Sequence, residues 1–406
     1  MKVVALDAGG ATLKASVVAP GVTPTASILP NHVASTSANP SAVYMGQKLQ
    51  ELEHQRAKLR YLRPVQRGYC VNWNVESELW AHLMSSEMLK VDPSEHALVV
   101  TAPLLAPAVV NESMDQVVFE ELGFQSYARV SAAESCVLSY SEHCEREYQA
   151  SLVANKMPEI KSPGRKRQKI TKRSEPPTSP AVVDEEDPLR FSTSSCHLVV
   201  DSGLSFTHVV PVIDGKVYLP GVRRINVGGK LLTNYLKEIV SYRQWNVMDD
   251  TPVINELKEV LCFCSMEFES DIKRTLQEDE MEEDVETQTD EQQSVRQNDD
   301  EQALEMGVEM VAVPEVLFHP SDIGINQAGI AETIVQAFKN FRQRLERDLR
   351  SLVPDDFDIG LHEPSDPVLA AWQGCCSLAG SSALSERLVS RQEYEEHGSN
   401  ICLKRF

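Results

Sequence analysis

Apolar positions arrive along the chain in two rhythms. Short, nearly continuous runs have the length and β-branched content of buried strands: KVVALDA (2–8), HALVVTAP (96–103), CHLVVDSG (196–203), FTHVVPVI (206–213) and KVYLPGV (216–222). In KLLTNYLKEIVSYR (230–243) and PVINELKEVLCFCS (252–265) apolar residues instead recur every three or four positions, the period of an amphipathic helix. ESELWAHLMSSEMLK (76–90) and NESMDQVVFEELG (111–123) also read as helices. Strands interleaved with helices predict an α/β body whose mixed sheets are covered by helices. There is no internal repeat at solenoid spacing. No apolar run approaches the length needed to cross a membrane. The chain enters its first strand directly, without the apolar stretch and cleavage site of a signal peptide, so a cytosolic or nuclear protein is expected.

The pattern fails in two places. From about Asn155 to Pro188 the chain is rich in Pro, Ser, Lys and Arg and nearly devoid of large apolar residues, so it cannot bury enough surface to offset the entropy of ordering. The window from Gln277 to Glu305 carries 13 acids against one base, and charges of one sign at that density keep a chain expanded. Both read as disordered insertions. The acidic window supplies most of the net charge of −21, so the rest of the chain is only moderately acidic. The nine cysteines are scattered, with neither a Cys-x-x-Cys pair nor a zinc spacing, and read as free thiols of a reducing compartment.

Chemistry concentrates at two turns of one plan. VVALDAGGATLKASVV is a strand ending at Asp7, a turn through Gly9 and Gly10, and a second strand carrying Lys14. VDSGLSFTHVVP repeats the plan with Asp201 and Gly203. Glycines let backbone N–H groups converge on an anion without a Cβ in the way. An aspartate beside each turn can hold the water shell of a phosphate-bound Mg²⁺, with no direct metal ligand needed, and Lys14 can set its ammonium against phosphate. The pattern is not a Walker loop, which needs Gly-Lys-Ser/Thr opening a helix.

These residues resemble the two phosphate loops of the actin family. The resemblance continues in family order through RGYCVNWNVESELWAHL, APLLAPAVVNESMDQVVFEELG, GGKLLTNYLKEI, INELKEVLCFCS, FHPSDIGINQAGIAETIV, LAAWQGCCSLAG and VSRQEYEEHG. It implies a bilobal actin-like fold: two α/β domains around a nucleotide cleft, with two disordered insertions. The first lobe would span residues 1–150 and the basic Pro/Ser insertion 151–195. The second lobe would span 196–270 and the acidic insertion 271–306, with 307–406 completing the second lobe and returning to the first. By the same resemblance, ATP with Mg²⁺ would be held by Asp7, Gly9, Gly10 and Lys14 facing Asp201 and Gly203, with Gly229 near the cleft and Lys258 at the adenosine.

The departures bear on activity. Leu204 and Ser205 stand where the family has an acid and a glycine, and Leu204 cannot hold a metal-bound water. The family's water-positioning glutamine aligns with Glu134 or its neighbour. After Asn340 the family's strand and Gly-Gly turn against the adenine are missing. The expectation is therefore a non-catalytic protein with weak or absent ATPase activity, any nucleotide being structural. VDSGLSFTHVVP, together with RINVGGKLLTNYLKEIVSYRQWNVMDDTPVINELKE, is most similar to a nuclear branch of the family that serves SWR-type chromatin remodelling complexes in placing a variant histone. That implies as partners a remodelling ATPase and a HIT-type zinc-finger subunit, with nucleosomes and histones met through the complex and no membrane. The alternatives are an ATP-hydrolysing enzyme on the same fold, or a filament-forming cytoskeletal relative. For the filament reading, VYMGQK echoes a docking segment while LQELEHQRAKLRYL does not.

Localisation rests on a separate feature. Lys161, Arg165, Lys166, Arg167, Lys169, Lys172 and Arg173 form a basic cluster with no acid inside it, the kind of exposed patch that nuclear import receptors read. A nuclear protein, with a cytoplasmic pool allowed, is expected. Replacing Arg165, Lys166, Arg167 and Lys169 with Ala is expected to move a tagged protein from the nucleus towards the cytoplasm in live-cell imaging; undiminished nuclear signal overturns this.

Overall fold

The computed structural model describes residues 2–54, 59–155, 196–277, 304–330, 332–333 and 364–406. The basic cluster, most of the acidic window and the junction after Asn340 lie outside these residues.

The chain begins as a hairpin. β1 (Lys2–Ala8) turns at 9–11 into β2 (Thr12–Val18), which places Asp7 beside Lys14, and β3 (Ser27–Pro30) continues antiparallel. β4 (Val33–Thr36) pairs with β5 (Leu59–Leu62), and β6 (Val65–Gln66) with β7 (Tyr69–Cys70). The helix Trp73–Met84 then carries the chain across the sheet, so that β8 (His96–Ala102) runs parallel to β1. That helix starts three residues before the apolar pattern does, because the side chain of Asn72 caps it by accepting from the N–H of Val75 at 3.4 Å. The helix Ala108–Gln116, prolonged by a π-turn at Val117–Glu121, returns the chain to β9 (Ser126–Ser131), parallel to β8.

Alternation decides what each face buries. Val4, Leu6, Leu98, Val100 and Tyr127 pack against Leu79, Trp80, Leu83, Val118 and Phe119. Their neighbours Val3, Ala5, Ala97, Val99, Ala128 and Val130 pack on the other face against Trp372, Cys375 and Leu378. With both faces covered, the middle positions of β1 and β8 favour apolar residues on either side, which is why Val3–Leu6 and Ala97–Val100 are continuous runs in the sequence.

The helix Ala132–Asn155 links the two lobes. It leaves β9 through a reciprocal cap: the Ser131 hydroxyl accepts from the N–H of Glu134 at 3.1 Å, and the Glu134 carboxylate accepts from the N–H of Ser131 at 3.4 Å. Its Ala133 and Val137 pack on Val210, Val212 and Val222 of the second sheet. There β10 (Cys196–Ser202), β11 (Thr207–Ile213), β12 (Lys216–Val217) and β13 (Arg223–Ile225) pair antiparallel, with β11 bonded to each of the other three. The strand expected at 216–222 ends at Val217, because Pro220 cannot donate to a ladder and Leu219–Gly221 form a 3₁₀ turn. The helices Gly229–Arg243, Thr251–Leu261 and Glu309–Glu315 close the second core around Leu236, Val240, Ile254 and Val313. Residues 268–277 are helical, so the first seven positions assigned to the acidic insertion belong to a helix.

The chain then returns to the first lobe. The helix Ala370–Gly380 lies across the sheet and against the helix Ala132–Asn155. β14 (Val389–Ser390) pairs with β9, giving the strand order β14-β9-β8-β1-β2-β3. The helix crossing is closest at Gly374, where an added Cβ would lie 1.7 Å from the carbonyl oxygen of Ser135. Gly374→Ala is therefore expected to lower stability by at least about 1–3 kcal/mol, the usual cost of overpacking, read as a lower urea midpoint. Gly380→Ala, where an added Cβ meets nothing within 4 Å, is the control and should leave the midpoint nearly unchanged. Equal midpoints for the two variants overturn the assignment of this contact.

Candidate functional site: two turns across a cleft

In the first turn, Asp7 is buried and divides its carboxylate between two partners. One oxygen accepts from the ammonium of Lys14 at 2.9 Å and the other from the hydroxyl of Thr101 at 2.9 Å, while Thr101 accepts from the N–H of Ala8 at 2.8 Å. The carbonyls of Gly9 and Ala11 are both taken by Asn31, through its side-chain amide at 2.9 Å and its backbone N–H at 2.8 Å. The N–H groups of Gly9, Gly10 and Ala11 donate to no partner among the described residues. A Cβ on Gly9 would meet the carbonyl oxygen of Thr12 at 2.9 Å, so this position must be glycine.

The second turn closes through a bond from the N–H of Gly203 to the carbonyl of Phe206 at 3.0 Å. Its remaining carbonyls hold the start of the helix Gly229–Arg243: that of Gly203 accepts from the N–H of Gly229 at 3.0 Å, and that of Leu204 from the N–H of Lys230 at 2.8 Å. This approach is so close that a Cβ on Gly228 would lie 2.6 Å from the nitrogen of Phe206. Gly229, named from the resemblance, has room for a Cβ, 3.6 Å from the ammonium of Lys258; the demanding glycine is its neighbour. Lys258 donates to the carbonyl of Gly229 at 3.3 Å, to the Thr233 hydroxyl at 3.0 Å and to the Asn255 side chain at 3.0 Å. It is anchored at the helix start beside the turn.

The two turns meet. Leu204 stands across from Gly10, where an added Cβ would come within 3.9 Å of it. Asp201 faces Asp7 and Lys14: burial pushes its carboxyl above the usual range, the charge of Asp7 adds to that, and Lys14 opposes it. Between the lobes lies a cavity of about 50 Å³ lined by Pro103, Ala133, Asp201, Phe206 and His208. It has room for only a few waters and is small beside ligand pockets of roughly 300–1,000 Å³.

Residues absent from the sequence-based site join the lobes. Gly68, in the turn between β6 and β7, has φ +82°, and an added Cβ there would lie 1.7 Å from the ring of Phe206. The guanidinium of Arg224 sits 4.2 Å from the centroid of the Phe206 ring and 5.4 Å from that of Tyr69. It donates to the carbonyl of Arg67 at 2.9 Å and to the hydroxyl of Tyr69 at 3.1 Å. Phe206 also packs on His208, which burial and the nearby Arg224 hold at about 4, so the imidazole is neutral.

Glu134 is not a solvated acid beside the cleft. One carboxylate oxygen completes the cap at Ser131 and the other accepts from the N–H of Val217 in β12 at 3.4 Å. Ser135, one residue on, is buried against Cys375. The N–H groups of Leu204 and Ser205 donate to no partner among the described residues, so both turns retain donors for phosphate oxygens, and with Lys14 they fit the phosphate end of a nucleotide.

The actin family model matches residues 1–340 and 336–406, two stretches that meet at the junction where the sequence lacks a strand and a Gly-Gly turn. Actin-related protein 6 of rice (Oryza sativa subsp. japonica) is 32% identical over 474 aligned positions, which take in all of this chain and 98% of that protein. Actin-related protein 6 of Arabidopsis thaliana is 31% identical over 466 positions, covering 100% and 99% of the two chains. Its counterpart in Drosophila melanogaster is 29% identical over 408 positions, covering 91% and 92%. The plant alignments run longer than the 406 residues here, so those relatives carry residues with no counterpart in this chain. With an α/β lobe on each side of paired Asp-Gly turns, and a family match from its first residue to its last, the chain belongs to the actin family.

Proposed function

We propose that the chain is a non-catalytic, actin-related subunit of a nuclear SWR-type chromatin remodelling complex that places a variant histone in nucleosomes. The observation that carries the non-catalytic part is the fate of the two positions that would orient an attacking water. Leu204 offers no polar atom there, and both oxygens of Glu134 already serve the fold, one at Ser131 and one at Val217. Phosphoryl transfer relies on positioning and charge stabilisation far more than on covalent chemistry by the protein, so little is left to accelerate it. The nuclear assignment is supported by the basic cluster at 161–173, and the complex by full-length similarity to proteins named actin-related protein 6.

Nucleotide, when bound, brings a triphosphate and Mg²⁺ to the cleft. The N–H groups of Gly9–Ala11 and of Leu204 and Ser205 would hold its oxygens, Lys14 would lend charge, and Asp7 and Asp201 would lie beside the hydrated metal. Lys14 would have to leave or share Asp7 to do so, and that exchange would cost part of the affinity. Weak binding gives little stabilisation by mass action.

A small or absent shift of the melting temperature on adding MgATP is expected, with no phosphate release above the no-protein blank. Steady hydrolysis that vanishes in Asp7→Ala overturns the reading and restores an enzyme. Affinity purification from nuclear extract is expected to recover a remodelling ATPase and a HIT-type zinc-finger subunit. A free monomer, or filaments that pellet without either partner, overturns the assignment to a complex.

A further inference from the structure

Behind the first turn lies a buried polar relay that the proposed function does not use. Asn31 is fully buried and holds the turn from both sides, through the carbonyls of Gly9 and Ala11. Its side-chain amide also donates, at 3.3 Å, to a carboxylate oxygen of Glu76, which is 2% exposed on the helix Trp73–Met84. The same oxygen accepts from the indole N–H of Trp80 at 2.8 Å. The second carboxylate oxygen of Glu76 and the side-chain oxygen of Asn31 are both buried without a partner among the described residues. The relay thus holds two orphan acceptors and lacks a donor, the arrangement that a proton on Glu76 relieves.

We propose that Glu76 is a proton-linked positioning residue for the first phosphate turn: through Asn31 its charge state sets the carbonyls of Gly9 and Ala11, and with them the N–H groups between. The proposal rests on that turn being the anion site. The groups packed around Glu76 make this chemistry accessible near neutrality. Burial pushes its carboxyl up to about 7, while the bonds from Trp80 and Asn31 pull it down less strongly. Besides these two, the titratable neighbour is Cys70 on β7, whose thiol burial and the Glu76 charge push up to about 12, so it stays neutral. Because the folded value lies above the ordinary carboxylate range, the native state retains this proton longer than the unfolded one. Stability and anion affinity therefore both fall as pH rises through about 7: the charge appearing behind the turn strains the relay and repels an anion in front of it.

Selective ¹⁵N-glycine labelling of the full chain tests this, since 19 glycines give a readable spectrum and Gly9→Ala and Gly10→Ala assign the two signals. The Gly9 and Gly10 signals are expected to shift together with a midpoint near 7, while those of remote Gly215 and Gly380 stay put. In Glu76→Gln, which keeps an acceptor for Trp80 and supplies the missing donor, the same signals should stay at their low-pH positions at every pH. Stationary Gly9 and Gly10 signals in the unaltered chain overturn the proposal. An equal titration in Glu76→Gln overturns it as well. Adding inorganic phosphate separates the two claims. A shift of the Gly9 and Gly10 signals supports the anion site; its absence, with the pH titration intact, refutes anion binding and restricts the proposal to proton-linked geometry of the turn.

Discussion

The ring of Phe206 occupies the volume that any residue other than glycine at position 68 would need for its Cβ. The relation between the two lobes follows from that contact. Phe206 ends the second turn, and Gly68 lies in a hairpin of the first lobe. Arg224 then serves both sides, stacking on Phe206 and Tyr69 while donating to the carbonyl of Arg67. A cation over an aromatic ring contributes about 0.5–2 kcal/mol, and the hydrogen bonds fix its direction. The cleft is thus bridged by the protein's own side chains beside the second turn.

The two lobes repeat one device with different results. In each, a hairpin ends in Asp and Gly and a neighbouring segment takes up the turn's carbonyls. Asn31 does so in the first lobe and the helix start at Gly229 in the second. In both cases the N–H groups are what remains. The lobes differ in what lies beside those donors: a buried ion pair of Asp7 with Lys14 in one, the apolar side chain of Leu204 in the other. Both turns present N–H donors, and only the first sets an ammonium beside them.

Legibility in the sequence followed the range of the interaction. β1, β8, β10 and β11 are found to within about a residue because burial leaves a local apolar signature, and KVYLPGV shortens because Pro220 cannot donate to the ladder. Asp7, Gly9, Lys14, Asp201 and Gly203 are legible because one strand–Asp–Gly–strand plan occurs twice in the chain. Gly228 is passed over for Gly229 because only the approach of the second turn distinguishes them. Phe206, Gly68 and Arg224 leave no trace, since the contacts by which they join the lobes, Gly68 with Phe206 and Arg224 with Arg67 and Tyr69, link residues more than a hundred positions apart. Glu76 reads as one more polar residue of a helix. Its burial depends on Asn31, a residue from a different strand region of the first lobe.

Glu134 carries a consequence for how such a chain can change over generations. Its carboxylate has been recruited to hold the start of the interlobe helix and to steady β12. Glutamine here would keep the cap at Ser131 but turn an amide N–H₂ towards the N–H of Val217, setting two donors face to face. The cost of exchange at this position thus falls on the seam between the interlobe helix and β12, and not on the start of the helix.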